Sequence, residues 1–150
     1  MNTTQPTLAE IELSYKPKKA HHPIIKSSAD VYYHLLRFFP EDTIALQERF
    51  VAGYVNRANR LIGVCNISTG GITGTVADPR LVLSVALKCA ATGIILAHNH
   101  SSGNLQPSEA DIEITKKIES ACKFLDIKLL DHIIIAPTGN YLSFRDDGLI

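Results

Sequence analysis

The stretch Gly93-Ile94-Ile95-Leu96-Ala97 decides the fold, because it is a continuous apolar run that stops where polar residues begin. A run of this length is typical of a strand buried on both faces. A helix is predicted on each side of it. The first starts at Asp78-Pro79, where a capping side chain precedes a proline, and reaches about Thr92. The second covers residues 108–125 and carries its apolar side chains on one face.

The rest of the chain supplies one more helix and several strands. A helix is predicted from Ser27 or Ser28 to residue 39, where Pro40 stops it. An alternating stretch at residues 11–15 is interpreted as an edge strand. The other predicted strands cover residues 50–56, 61–68, 72–76, 128–136 and 141–144. This alternation indicates an α/β fold, a three-layer α/β/α sandwich around one mixed β-sheet.

Length and composition describe one globular domain. The chain has 150 residues, of which 45% are hydrophobic, and its 15 basic residues balance its 15 acidic ones. A formal net charge of zero argues against a strongly basic nucleic-acid surface, since such surfaces neutralise phosphates. We divide the chain into an N-terminal lead-in, residues 1–26, and one domain, residues 27–150.

Cysteines and hydropathy predict the compartment. Cys65, Cys89 and Cys122 are odd in number and form no Cys-x-x-Cys pair. They therefore exclude a cysteine zinc ribbon and fit a reducing cytoplasm. The first ten residues contain no apolar signal segment, and the most apolar stretch, residues 81–97, is short for a bilayer and interrupted by polar residues. We expect a cytoplasmic protein with no membrane partner.

The segment that follows the buried run carries the chemistry. His98 and His100 are two residues apart at the predicted strand end, so both imidazoles lie on the same face. Ser108 begins the next helix, and Asp111 lies in its first turn. Ser108-x-x-Asp111 alone matches an ordinary capping box. Together with the histidines, however, Asp111 completes a set of three zinc ligands and leaves a fourth position for water, as in catalytic sites.

The pattern His98-Asn99-His100-x-Ser102-Gly103 with Pro107-Ser108-x-x-Asp111 resembles the JAMM motif of the JAB/MPN metalloprotease superfamily. It is most similar to the RadC-like branch, whose members are described as DNA repair proteins. Asp78-Pro79-Arg80, Asp131-His132-Ile133 and residues 50–62 extend the resemblance, which covers residues 30–150 and implies a fold like that of cytidine deaminases. Ser101 stands where the branch usually has proline, which loosens the loop but removes no ligand.

The resemblance implies a role for each residue of the motif. His98, His100 and Asp111 hold Zn²⁺, and Ser108 orients or stabilises the oxyanion. An upstream glutamate acts as general base, and Glu48 is the best match, with Glu41 a weaker competitor. The implied reaction is hydrolysis of a peptide or isopeptide bond, with a peptide or protein as substrate. His132, next to Asp131, is interpreted as a structural strand histidine rather than a partner of a zinc ligand.

Two other functions stay open. The RadC resemblance suggests a DNA repair-associated protein that acts on or near nucleic acid. The zero net charge weakens that hypothesis, as does the expectation that the chain has no room for the helix-hairpin-helix domain of longer RadC proteins. A non-catalytic MPN-type interaction domain is the other alternative, although catalytically dead relatives generally lose ligands. An exposed sheet edge also allows two copies to pair as a homodimer.

Overall fold

A computed structural model describes residues 7–71 and 76–150. Its three α-helices are α1, Ser28–Leu35; α2, Pro79–Lys88; and α3, Glu109–Phe124. A short 3-10 turn, Leu36–Phe38, follows α1. The strands are β1, Arg49–Val55; β2, Leu61–Thr69; β3, Gly93–Asn99; β4, Lys128–Ile135; and β5, Tyr141–Ser143. None of these helices is long and apolar enough to cross a membrane.

The five strands form one mixed sheet in the order β2-β1-β3-β4-β5. β3 runs parallel to β4, while the other three neighbouring pairs are antiparallel. All seven residues of β3 are buried, as its apolar run predicts. The prediction of one mixed sheet is therefore confirmed, and the central strand is the one that leads into the histidines.

Alternate residues of the strands pack against different helices. On one face, Ala52 and Leu96 join a core cluster with Val82 of α2 and Ile118 of α3. On the other face, Val51, Ile95 and Ile133 join Val31 and Leu35 of α1. The sheet thus has helices on both sides, which confirms the predicted α/β/α layering.

The first residue of α2 is determined by a capping side chain, and its last residue by the backbone conformation that follows. The Asp78 carboxylate accepts a hydrogen bond from the Arg80 amide at 2.9 Å, as predicted for its cap. The helix ends at Lys88, earlier than the predicted Thr92. Ala90 takes a positive φ of 52°, and the Ala91 amide donates to the Ala86 carbonyl at 2.9 Å. This Schellman-type ending needs no glycine at the turn, so sequence reasoning missed it.

Two predicted strands need comment. Residues 11–15 are not a strand: Ile11 and Leu13 are 95% and 79% exposed, and the bridge that this segment makes comes later, between Ile24 and Arg60. Of the predicted strand at 72–76, residues 72–75 lie outside the described residues, and Val76 is in a loop. The hairpin between β1 and β2 forms as expected.

Replacement of Gly93 by alanine is expected to destabilise the fold. A Cβ there would lie 2.6 Å from Val55 Cγ2 and 3.2 Å from Leu130 Cδ1, and a β-branched neighbour cannot easily move aside. We expect Gly93→Ala to lower the free energy of unfolding by about 1–3 kcal/mol. Gly63→Ala is the matched control, because a Cβ at Gly63 meets nothing within 4 Å. Urea denaturation measures both, and equal stabilities for the two variants would contradict the packing argument.

Candidate metal centre

Three side chains converge beyond the carboxyl end of β3. His98 is the next-to-last residue of β3, and His100 directly follows the strand. Asp111 lies in the first turn of α3. His98 Nε2 is 3.0 Å from His100 Nε2 and 3.2 Å from Asp111 Oδ1. His100 Nε2 is 3.1 Å from Asp111 Oδ2. The predicted convergence of both imidazoles and the carboxylate on one point is present, and this group could hold a metal ion.

The spacing of the donor atoms fits a tetrahedral ion. Two ligand atoms that each lie about 2.0–2.2 Å from a tetrahedral zinc ion are about 3.3–3.6 Å apart. The three observed spacings of 3.0–3.2 Å require only a small outward movement of the side chains. Two imidazole nitrogens and one carboxylate also make a donor set that zinc accepts and that leaves one position open.

A turn and a helix cap bring Asp111 to the histidines. Gly103 has a φ of +84°, and its amide donates to the His100 carbonyl at 2.9 Å, which reverses the chain after the strand. The Ser108 hydroxyl then accepts from the Asp111 amide at 3.0 Å. In return, Asp111 Oδ2 accepts from the Ser108 amide at 2.8 Å. The capping box therefore fixes the carboxylate that faces the imidazoles, so its structural and site roles coincide.

The His98 side of the site is dry. His98 is 2% exposed, and its ring stacks on Phe50 with centroids 5.7 Å apart. His98 Nδ1 lies 2.7 Å from His132 Nε2, and His132 Nδ1 lies 2.6 Å from Thr115 Oγ1. The interpretation of His132 as a structural strand histidine needs correction, because it contacts a predicted ligand. The sequence carried no signal for this contact, because it depends on the register of two parallel strands, which places His132 beside Leu96.

The His100 side of the site is partly open to solvent. His100 Nδ1 lies 2.6 Å from the Asn104 carbonyl, which can only accept, so this nitrogen carries hydrogen. Glu48 directly precedes β1, and the pairing of Phe50 with His98 brings β1 alongside the histidine strand, as predicted. Continued by two residues, that register would bring Glu48 opposite His100, and the charge of Glu48 does act on that imidazole. Glu41 lies in an exposed turn.

Asn99 holds the segment that carries Glu48, which sequence reasoning did not foresee. Its side chain is fully buried on the opposite face of β3 from the two histidines. Its amide nitrogen donates to the carbonyls of Ile44 and Gln47 at 2.7 and 3.0 Å. Its amide oxygen accepts from the Arg49 amide at 2.7 Å. One residue between the two imidazoles therefore fastens the chain on both sides of Glu48.

Electrostatics at the site favour a negative carboxylate beside a protonated imidazole. A hydrogen bond to Asp111 raises the pKa of His100 above 6.5 in spite of burial, and the Glu48 charge adds to the effect. Burial alone would raise the pKa of Asp111, but hydrogen bonds to its carboxylate, the strongest of them from His100, outweigh burial and hold that pKa well below its usual range. Burial lowers the pKa of His132 well below 6.5, so this imidazole is neutral.

Comparison with known proteins assigns the fold and site to a family. Residues 25–149 match the RadC-like JAB domain. A UPF0758 protein of Flavobacterium johnsoniae is 50% identical over 102 residues, which cover 68% of this chain and 44% of that protein. A UPF0758 protein of Porphyromonas gingivalis is 37% identical over 143 residues, or 95% of this chain and 63% of that protein.

The chain belongs to the RadC-like JAB domain family, which confirms the resemblance found in the sequence. A third relative, a UPF0758 protein of Streptococcus suis, is 42% identical over 102 residues, 68% of this chain and 41% of that protein. The matched part thus spans about half the length of these curated relatives. The names of these relatives state no substrate or reaction, so activity is argued below from the site itself.

The affinity for zinc is expected to decrease as the pH is lowered, and the decrease should begin above pH 6.5. In the metal-free protein the Nε2 hydrogen of His100 lies where an ion would lie, and an ion must displace it. Below the raised pKa of His100, each ion bound releases a proton, so affinity falls about tenfold per pH unit. Asp111 stays ionised over this range and does not contribute. Competition against a chromophoric chelator between pH 6 and 8.5 measures the slope, and a flat profile would refute this argument.

Proposed function

We propose that this chain is a zinc-dependent hydrolase of the JAMM type that cleaves a peptide or isopeptide bond in a peptide or protein. The observation that carries the proposal is the convergence of His98, His100 and Asp111 within 3.0–3.2 Å of one another. The unpaired state of all three cysteines supports a reducing compartment, and we place the protein in the cytoplasm.

In this proposal His98, His100 and Asp111 hold the ion at the mouth of the site. When bound, zinc supplies Lewis acidity, which lowers the pKa of water toward about 7 and polarises a carbonyl. The three residues come from two elements, the end of β3 and the start of α3, that the central core cluster keeps together. Their rigid placement supports a site that keeps its geometry during turnover.

Glu48 is the proposed general base. Its carboxylate accepts a proton from the attacking water, whose oxygen adds to the carbonyl carbon of the scissile bond. As the carbon–nitrogen bond breaks, Glu48 returns that proton to the leaving amine, so the proton balance closes on one residue. The electrostatic influence of Glu48 on His100 supports a carboxylate within range of the site. The hydrogen bonds between Asn99 and the residues on either side of Glu48 hold that segment in place.

Ser108 is the proposed donor to the developing oxyanion. Its hydroxyl oxygen already accepts from the Asp111 amide, which leaves the hydroxyl hydrogen available to donate. Ser108 is exposed and directly adjoins the carboxylate of Asp111, so its hydroxyl borders the open side of the site. A donor fixed by a helix cap needs little reorganisation when charge develops.

Metal content is the first test of the proposal. Protein purified without chelators is expected to hold close to one zinc per chain by mass spectrometry. His100→Ala is expected to lose that zinc and keep its fold, because the site lies at a strand end and outside the two core clusters. Metal-free wild-type protein that does not take up added zinc would instead favour a non-catalytic interaction domain.

Glu48→Gln is expected to retain zinc and lose turnover. Glutamine can hold a water molecule but cannot take its proton, so the rate should fall by about 10²–10⁴-fold. Fluorogenic peptide and isopeptide substrates, screened first on the wild type, supply the assay. Glu41→Gln is the matched control, because Glu41 is an exposed glutamate on the neighbouring turn, and it should act like the wild type. Full activity of Glu48→Gln with loss in Glu41→Gln would reverse the assignment.

A further inference from the structure

We propose that Thr115 and His132 are positioning residues that fix the tautomer of His98, so that its Nε2 lone pair faces the metal position. The inference rests on the zinc site of the proposed function but not on the reaction. The two residues connect α3, β4 and β3 through a continuous row of short hydrogen bonds. Counting donors and acceptors along that row settles which nitrogen of each imidazole carries hydrogen.

The row starts at a backbone carbonyl on α3. Thr115 Oγ1 lies 2.6 Å from the Asp111 carbonyl oxygen, which can only accept, so the threonine hydroxyl donates there. That bond uses the single hydrogen of the hydroxyl. At its second contact, 2.6 Å from His132 Nδ1, Thr115 must therefore accept. It follows that Nδ1 of His132 carries a hydrogen.

The hydrogen on Nδ1 of His132 in turn determines which nitrogen of His98 carries a hydrogen. The His132 side chain is completely buried between the rings of Phe50 and Phe144, where a charged imidazole is strongly disfavoured. A neutral ring with hydrogen on Nδ1 has a bare Nε2, which must accept from His98 Nδ1 at 2.7 Å. His98 consequently carries a hydrogen on Nδ1, and in its neutral form the lone pair of Nε2 faces His100 Nε2 and Asp111 Oδ1, the atoms around the metal position.

The second imidazole is oriented by a simpler contact. His100 Nδ1 donates to the Asn104 carbonyl, so its Nε2 is the nitrogen that faces the metal position. His98 is buried near the end of the central strand, and its Nδ1 faces His132 and not a loop carbonyl. The Thr115–His132 pair gives it an equivalent acceptor. A hydrogen bond of this kind fixes ring orientation and strengthens the ligand.

Thr115→Val tests the positioning role of the threonine hydroxyl, and Thr115→Ser is its matched control. Valine keeps the shape of the buried side chain but removes the hydroxyl, whereas serine keeps the hydroxyl. Zinc affinity, measured by competition with a chelator at pH 8, is expected to fall about 10- to 100-fold in Thr115→Val. Thr115→Ser should stay within about threefold of the wild type, since its row of hydrogen bonds is intact.

A second measurement reads the tautomer directly in metal-free protein. Nitrogen-15 spectra of the imidazoles distinguish a protonated ring nitrogen from a bare one. Wild-type protein and Thr115→Ser should show His98 with hydrogen on Nδ1, and Thr115→Val should show a mixture of the two tautomers. Thermal melting of all three proteins separates loss of fold from loss of the hydrogen-bond row, because a purely structural threonine would change melting without changing the tautomer.

The outcomes separate this proposal from the hydrolase. If the wild type binds zinc and Thr115→Val binds it equally well, the positioning role is wrong and the proposed function stands. Hydrogen on Nε2 of His98 in the wild type also overturns it. If zinc affinity and tautomer change as expected but no amide or isopeptide substrate is cleaved, the hydrolase fails while the positioning role holds. A wild type that takes up no zinc overturns both.

Discussion

The alternation of side chains along β3 is the constraint on which the site depends. Successive residues of a strand point to opposite faces, so His98 and His100 share a face while Asn99 points to the other. On the first face the imidazoles meet Asp111 of α3. On the second face Asn99 holds the segment around Glu48. A shift of pairing by one residue would exchange the two faces and separate all of these groups.

The central position of β3 makes such a shift costly. The strand pairs on both sides, with β1 and with β4, and its apolar side chains enter both core clusters. The free energy that keeps the ligands in place is therefore the burial of Ile94, Ile95 and Leu96, which lie well before the site in the chain. His98 and His100 belong to neither core cluster.

Much of this arrangement could be predicted from residues 93–111. The apolar run predicts a buried strand, the spacing of two histidines predicts a shared face, and Ser108-x-x-Asp111 predicts a helix start. Each of these features is local in sequence, so elementary geometry is enough. The family resemblance then named Glu48 as the general base, and the strand that Glu48 directly precedes, β1, pairs with the histidine strand as expected.

What sequence reasoning missed depends on contacts between distant segments. His132 and Thr115 reach His98 only because β4 lies parallel to β3 and α3 crosses over both. No local pattern shows which residue of one strand lies beside a given residue of the next. The early end of α2 has another cause, since Ala90 adopts a positive φ that composition would assign to glycine. Tertiary register and backbone strain are the two kinds of information that one sequence does not display.

The candidate site is buried on one side and partly exposed on the other. His98 and His132 are enclosed by Phe50 and Phe144, so that side is closed. The side chains of His100 and Asp111 are 13% and 17% exposed, and Ser108 is exposed beyond them. In the proposed hydrolase, a substrate carbonyl would approach from the side of Ser108, His100 and Asp111, while His132 is shielded from water. One end of the site fixes geometry in a dry interior, and the other end remains open for exchange with solvent.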